Sequence, residues 1–261
     1  MKFLIQKMHG KIEHDFSITL LKSIEYQKWI QNDQKVITVK FLDFYDKDKW
    51  EFRGFHKNYV PIGSVEFVRA WFETFHNHTP KPMNVPEELF GYCNREIFNG
   101  TEKDLSGMYG KLFVKDNDKI KGIAGIFNHQ EKYVFPKGNY QISEFIEIIG
   151  EWRAFVYYGE LVGLQNYNGD FTRFPNILTI RKMINRYKSA PKAYTLDVGI
   201  GTPILEIDGN FITDNTFVIE CHDFFSCGLY GFADHRILPY MFYRWHHEYL
   251  NKNKLIVTFF I

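Results

Sequence analysis

Long apolar runs are missing from this chain. No stretch approaches the roughly 18 consecutive apolar residues that span a bilayer. At the start, the apolar Phe3-Leu4-Ile5 within Met1–Lys7 is too short for the core of a secretory signal. Cysteine is scarce: Cys93, Cys221 and Cys227 are odd in number and lack paired metal-site spacing, which argues against a disulfide framework and a zinc ribbon. A reducing cytoplasm is therefore the expected compartment. An excess of either charge is absent too. Lys and Arg number 32 against 31 Asp and Glu, a net charge of +1, so no global field favours nucleic acid, anionic lipid or acidic partners. The sequence has no Gly-Lys-Ser/Thr phosphate loop, no Gly-x-Gly-x-x-Gly, no Gly-x-Ser-x-Gly elbow and no His-Glu-x-x-His, which removes the commonest nucleotide and hydrolase signatures.

What is present is apolar and aromatic. Of the 261 residues 45% are hydrophobic and 18% aromatic, with 26 Phe and 16 Tyr, enough to build a core in which large rings dominate the packing. Phe3-Leu4-Ile5 and Val36–Leu42 read as strands, with a short helix around Leu20, Leu21, Ile24 and Tyr26 between them. From Ser64 to Phe75 the apolar Val65, Val68, Trp71, Phe72 and Phe75 recur at helical spacing, Ser64 is placed to cap and Glu66 suits the positive end. This alternation predicts a small α/β domain over residues 1–105. The Pro-rich run from Asn77 to Pro86 and the polar run from Asn99 to Gly107 bracket a linker.

Residues 106–261 change in texture and predict an α+β domain of antiparallel sheet with packed helices. Leu112–Lys115 and Tyr140–Ile146 read as strands, and Trp152–Tyr158 and Leu161–Tyr167 as a hairpin about Gly159-Glu160. Pro175-Asn176 opens a helix with Ile177, Ile180, Ile184 and Tyr187 on one face. Thr195–Val198 and Thr216–Cys221 are strands joined through a turn at Asp208-Gly209-Asn210. A helix carrying Met241, Trp245 and Tyr249 follows Pro239, and Lys254–Ile261 is expected to close the chain as a strand.

Charged residues interrupt these apolar strands in a definite order. Lys115 follows Leu-Phe-Val, Glu144 and Glu147 punctuate the next strand, Glu151 and Arg153 flank Trp152, Asp197 sits in Thr-Leu-Asp-Val, and Glu220 ends Phe-Val-Ile-Glu. Charge on a half-buried strand is costly unless paired or liganded. Taken singly, each fits the exposed side of an antiparallel strand. As an ordered set they supply what a metal–nucleotide site needs: cations for phosphate oxygens, then carboxylates for magnesium. Cys221 beside His222 is a poor nucleophile–base pair, because adjacent strand residues point to opposite faces. His76-Asn77-His78 at a helix end, His246-His247 on an aromatic helix and the basic face of Arg181, Lys182, Arg186 and Lys188 read as solvated or packed groups rather than sites.

The order Lys111–Lys115, Ile142–Glu147, Glu151–Val156, Leu196-Asp197-Val198 and Val218-Ile219-Glu220 resembles the core of the ATP-grasp superfamily. The flanking Pro61–Phe67 and Cys227–Gly231 resemble a compact clade common in phages and bacteria. The resemblance spans roughly residues 60 to 235. It implies ATP and Mg2+ as cofactors, with Lys115 on the ATP phosphates, Lys121 as a second cationic contact, Glu144-Phe145-Ile146 as the hinge meeting adenine and Glu147 at the ribose. It also implies Arg153 facing the transferred phosphoryl group, Arg173 as a weaker basic contact, and Asp197 and Glu220 on the metal. The family usually has Asn where this chain has His222. Imidazole is a softer ligand than an amide oxygen, which opens the choice between Mg2+ and Mn2+. The implied function is an ATP-dependent carboxylate–amine ligase acting on small-molecule or peptide substrates, without membrane or nucleic-acid partners. The alternative is a non-catalytic nucleotide-binding or interaction module on the same fold, a reading that His222 favours and the presence of Arg153, Asp197 and Glu220 opposes.

Overall fold

The computed structural model describes residues 1–31, 37–44, 52, 54–76, 78–105, 108–128, 133–201 and 215–258, with side chains up to residue 252. The fold is α+β. Its contacts group into two units, one of residues 1–80, 191–193 and 223–261, the other of residues 81–190 and 194–222. No helix among the described residues is long and apolar enough to cross a membrane.

The first unit is built on β1 (Lys2–Lys7), which lies between β2 (Thr38–Asp43) and β3 (Val60–Ile62) and runs parallel to both. Phe3, Leu4 and Ile5 are all fully buried. Consecutive apolar residues suit a central parallel strand covered on both faces. Helix α1 (Asp15–Gln31) links β1 to β2 and is much longer than the short helix expected. Helix α2 (Val65–His76) begins where expected, with the Phe67 amide donating to Ser64 Oγ at 3.2 Å. The buried Gln6 holds its start, accepting from the Ser64 amide at 2.6 Å and donating to the Phe44 carbonyl at 2.8 Å.

Of the closing strand expected over Lys254–Ile261, the described residues, which end at Thr258, are helical, and 259–261 lie outside the described residues. Lys254–Thr258 continue a helix from Leu238. The apolar run Leu255-Ile256-Val257, with its β-branched Ile and Val, has strand propensity, but it follows an established helix, where each further residue adds a hydrogen bond without a new nucleus. This helix and α2 share an aromatic seam: Phe72 meets Trp245 and Tyr249 edge-on, and both Trp71 and Phe72 pack against His246.

The second unit carries two four-stranded sheets. The smaller has the order β4 (Ile97–Thr101), β7 (Asn139–Glu144), β5 (Lys111–Asp116), β6 (Ala124–Asn128), with every neighbour antiparallel. The larger has the order β11 (Thr216–Asp223), β10 (Ala193–Ile200), β8 (Gly150–Tyr157), β9 (Glu160–Gly169). The expected hairpin of β8 and β9 forms, turning at Tyr158-Gly159, both with left-handed backbone, one residue before the expected Gly159-Glu160. Helix α4 (Ile177–Arg186), capped by Asn176 Oδ1 on the Leu178 and Thr179 amides, packs Ile180, Met183 and Ile184 against the larger sheet.

The Asn99–Gly107 run, expected with Asn77–Pro86 to bracket a linker, supplies in its described residues the end of β4 and the helical turn α3 (Glu102–Leu105), while 106 and 107 lie outside the described residues. Asp104 Oδ2 accepts from both the amide and hydroxyl of Thr101, so polar side chains that signal loop serve here as local caps. The boundary expected near residue 105 thus falls inside the second unit. The turn expected at Asp208-Gly209-Asn210 lies outside the described residues.

Candidate functional site

The larger sheet has two chemically different faces. Trp152, Ala154 and Val156 of β8, Leu196 and Val198 of β10 and Cys221 of β11 enter the core beneath α4. Side chains alternate across a strand, so Arg153, Asp197, Glu220 and His222 fall on the other face. The alternation that buries Cys221 thereby separates it from His222. Lys115 reaches the same place from β5 of the smaller sheet.

The two sheets are tied together around this face by residues that sequence reasoning passed over. Arg95 donates through Nη1 to the Cys93 and Val218 carbonyls, through Nη2 to the Ile219 carbonyl and through Nε to Ser143 Oγ. Asn84, with left-handed backbone, accepts from the Cys221 amide through its carbonyl and donates through Nδ2 to the Asp116 carbonyl and Asn117 Oδ1. These links fix β11 beside the end of β5. At the other end, Gly169 closes the hairpin with φ 73°, and a Cβ there would collide with the Ile149 carbonyl.

Five expected residues converge. Asp197 is 1% exposed and receives a two-pronged bond from Arg153, Nε to Oδ1 and Nη2 to Oδ2, both 2.8 Å. His222 Nε2 lies 3.4 Å from Asp197 Oδ2 and 2.9 Å from Glu220 Oε1, and the Lys115 ammonium pairs with Glu220 Oε2. Burial alone would raise the Asp197 pKa, but hydrogen bonds and charge from Arg153 and His222 leave it below the ordinary carboxylate value. Burial pushes Lys115 down to about 8, with Asp197 and Cys221 opposing the shift and Arg153 adding to it. Burial also lowers His222, against the hydrogen bond and charge of Asp197, with Lys115 and Arg153 adding to the drop. The face therefore sets two cations against two carboxylates, with the His222 imidazole between the carboxylates.

One ligand atom from each of Asp197, Glu220 and His222 lies within 4.8 Å of the others, a spacing that fits a single divalent ion. Two carboxylates are hard oxygen donors of the kind magnesium takes, and each oxygen held by Arg153 retains a second lone pair. The imidazole is a softer ligand than either carboxylate.

The other expected residues stand apart in kind. Lys121 is exposed in the β5–β6 turn on left-handed backbone. Glu144 ends β7 with its carboxylate accepting from the Glu96 amide at 2.9 Å. Phe145 donates its amide to the Lys111 carbonyl, and the Lys111 ammonium lies 3.6 Å from the centroid of the Phe145 ring. Ile146 and the exposed Glu147 follow in the irregular segment between the two sheets. Arg173 is exposed, 3.9 Å from Asp170, and its carbonyl accepts from Trp152 Nε1.

The family model of the ATP-grasp domain, R2K clade family 2, matches residues 92–239, more than half of the chain. No curated protein matches it. Among solved structures, D-alanine–D-alanine ligase from Bacillus anthracis is similar at 13% identity, covering 95% of this chain and 96% of that one with a TM-score of 0.48. A RimK domain ATP-grasp protein from Sphaerobacter thermophilus is similar at 10% identity over 93% and 98%, TM-score 0.49. A RiPP-associated ATP-grasp ligase from Chryseobacterium gregarium, solved with ADP and a leader and core peptide, is similar at 9% identity over 92% and 95%, TM-score 0.49.

Proposed function

This chain belongs to the ATP-grasp domains of the R2K clade, family 2, and from that premise we propose that it is an ATP-dependent ligase joining a carboxylate to an amine. The observation that supports this reading is the convergence of Lys115, Arg153, Asp197, Glu220 and His222 on one face of one sheet. In the proposed reaction a carboxylate oxygen of the substrate attacks the terminal phosphorus of ATP, the bond to ADP breaks, and an acylphosphate forms. The amine then attacks the acyl carbon, phosphate leaves, and the nitrogen loses a proton. The acid and the amine are small molecules or peptide ends.

The protein acts by position and charge, without a covalent enzyme intermediate. Lys115 neutralises phosphate oxygens. Arg153, already buried and anchored by Asp197, offers its charge to the phosphoryl group in flight without reorganising at that moment. Asp197, Glu220 and His222 would hold Mg2+ or Mn2+, which supplies charge neutralisation across the phosphates. Backbone of Glu144-Phe145-Ile146 receives the adenine, Glu147 the ribose, and Lys121 and Arg173 add cationic contacts.

The test is stepwise. ATP with magnesium should raise the melting temperature, because a ligand bound only by the folded state stabilises it by mass action. No shift at millimolar ATP would sink the nucleotide assignment. Incubation with amino acids and peptides should then release ADP and phosphate, and AMP as the main product would overturn the acylphosphate route. A stabilised protein that releases no phosphate with any acid–amine pair would be the binding module instead.

A further inference from the structure

The hairpin carrying Arg153 is irregular at two places, between Phe155 and Val156 near its turn and between Glu151 and Trp152 beside the candidate site. Along β8 and β9 the partners are Arg153 with Gln165, Trp152 with Asn166, and then Glu151 with Asn168, so Tyr167 is an extra residue in β9. In a regular ladder the residue after Asn166 would stand opposite Glu151. The bulge places both Tyr167 and Asn168 against it, and bulges re-aim side chains in this way. Asn166 fastens the bulge, donating through Nδ2 to the carbonyls of Glu151 and Asn168, each at 3.1 Å.

The re-aimed ring lies beside the candidate site. The Arg153 guanidinium carbon is 5.6 Å from the centroid of the Tyr167 ring, within cation–π reach. The Tyr167 hydroxyl donates to the Glu151 carboxylate, and Glu151 Oε1 accepts from Asn168 Nδ2 at 2.8 Å. Burial, the charge of Asp197 and this bond to Glu151 all raise the Tyr167 pKa, so the phenol remains a donor. Arg153 is thus held from two directions, by the Asp197 carboxylate and by a ring that is itself tethered.

We propose that Tyr167, locked by Glu151 across the bulge, is a positioning residue that holds the Arg153 guanidinium where the transferred phosphoryl group passes. This rests on the phosphoryl-transfer reading above. Arginine has many rotamers and its fork is useful only in one orientation. A flat anchored ring removes the alternatives before the substrate arrives, so its loss should weaken transition-state contacts more than ground-state binding.

The probe is magnesium ADP, alone and with fluoroaluminate, a planar mimic of the phosphoryl group in flight, read by calorimetry and thermal shift. Wild type should bind magnesium ADP and bind it more tightly with fluoroaluminate. Tyr167→Leu should keep the first affinity within about 2-fold and lose roughly 10- to 100-fold in the second, the range for removing part of a preorganised charge. Tyr167→Phe, which keeps the ring and loses the tether, should fall between them and serves if the leucine variant does not fold. Glu151→Gln, which still accepts from the phenol, should behave like wild type, while Glu151→Ala should match Tyr167→Phe. Equal losses for both complexes in the Tyr167 variants would mark a merely structural role and overturn the proposal. So would a Tyr167 variant indistinguishable from wild type, or a wild type that gains nothing from fluoroaluminate. A wild type that fails to bind magnesium ADP would instead remove the nucleotide reading, and this proposal with it.

Discussion

Replacing Asp197 by Asn tests more than metal binding, and its main effect should be on folding. From sequence the change looks conservative, keeping shape while removing the charge that magnesium needs, so an intact fold is the expectation. The structure revises that. Arg153 is 6% exposed and Asp197 1% exposed, and the guanidinium places two hydrogen bonds on the carboxylate. Asparagine offers one acceptor oxygen in place of two and no counter-charge, so a buried cation is left uncompensated. Removing one partner of such a pair costs about 3–5 kcal/mol. That is a large share of the roughly 5–15 kcal/mol that holds a domain folded. With a urea slope near 2 kcal/mol/M, the midpoint should fall by about 1.5–2.5 M. Arg153→Met alone should cost a similar amount, and the double variant Asp197→Leu/Arg153→Met should recover at least half of the summed losses, since no buried charge remains. Urea unfolding followed by tryptophan fluorescence, with Asp197→Leu added as the matching single variant, gives the complete cycle. A loss below about 1 kcal/mol for Asp197→Asn would refute the reasoning, because it would mean that water or a neighbour satisfies Arg153 without Asp197.

Other expectations follow from the same geometry. Glu220→Gln should fold normally, since the Glu220 side chain is 22% exposed, and should weaken Mn2+ binding by at least about 10-fold in electron paramagnetic resonance titrations; unchanged affinity would remove Glu220 from the metal set. His222→Asn should lower the ratio of Mn2+ to Mg2+ affinity, and an unchanged ratio would show that the imidazole is not a ligand. His246, buried against Trp71 and Phe72, has its pKa lowered to about 3 by burial, with His76 and His247 adding to the drop. Between about pH 6.5 and pH 3 the unfolded chain therefore carries a proton that the folded one lacks, so stability falls as pH drops through that window, by roughly 1.4 kcal/mol per unit. Going from pH 6.5 to 4.5, wild type should lose roughly 2–3 kcal/mol more than His246→Leu, and parallel losses would refute this. Arg95→Met should cost at least about 3 kcal/mol, because charged hydrogen bonds contribute about 1.5–3 kcal/mol each and three carbonyls lose their donor.

Much of the fold could be read from periodicity and punctuation. The β8–β9 hairpin declares itself because two runs of aromatic and β-branched residues flank Gly159, and α4 because Asn176 precedes an apolar series at helical spacing. The departures share a cause, which is that local composition carries no information about neighbouring strands. Asn99–Gly107 is polar and contains Gly, yet Ile97–Thr101 pairs residue by residue with Asn139–Ser143, and the partner strand decides the outcome. The C-terminal residues to Thr258 have strand-forming side chains but continue a helix already begun at Leu238.

The site divides along a similar line. Lys115, Arg153, Asp197 and Glu220 were legible because each interrupts an apolar strand, and a charge at such a position needs a partner. Their being one another's partners was not legible, since that depends on which strands are neighbours: β8 beside β10, β10 beside β11, and β5 reaching β11 from another sheet. Arg95 and Tyr167 left no such mark. Arg95 lies in the polar run Cys93-Asn94-Arg95-Glu96, where a basic residue looks solvated, and its four acceptors come from β7, β11 and Cys93. Tyr167 continues an alternation that gives no hint of an extra residue, because a bulge is a mismatch of register between two strands and belongs to neither alone. A single sequence marks where charge is anomalous, whereas the residues that orient the charge are ordinary ones made special by pairing. Candidates of the second kind are best sought at irregularities of the ladder next to residues of the first kind, and the contact between Tyr167 and Arg153 is one such case.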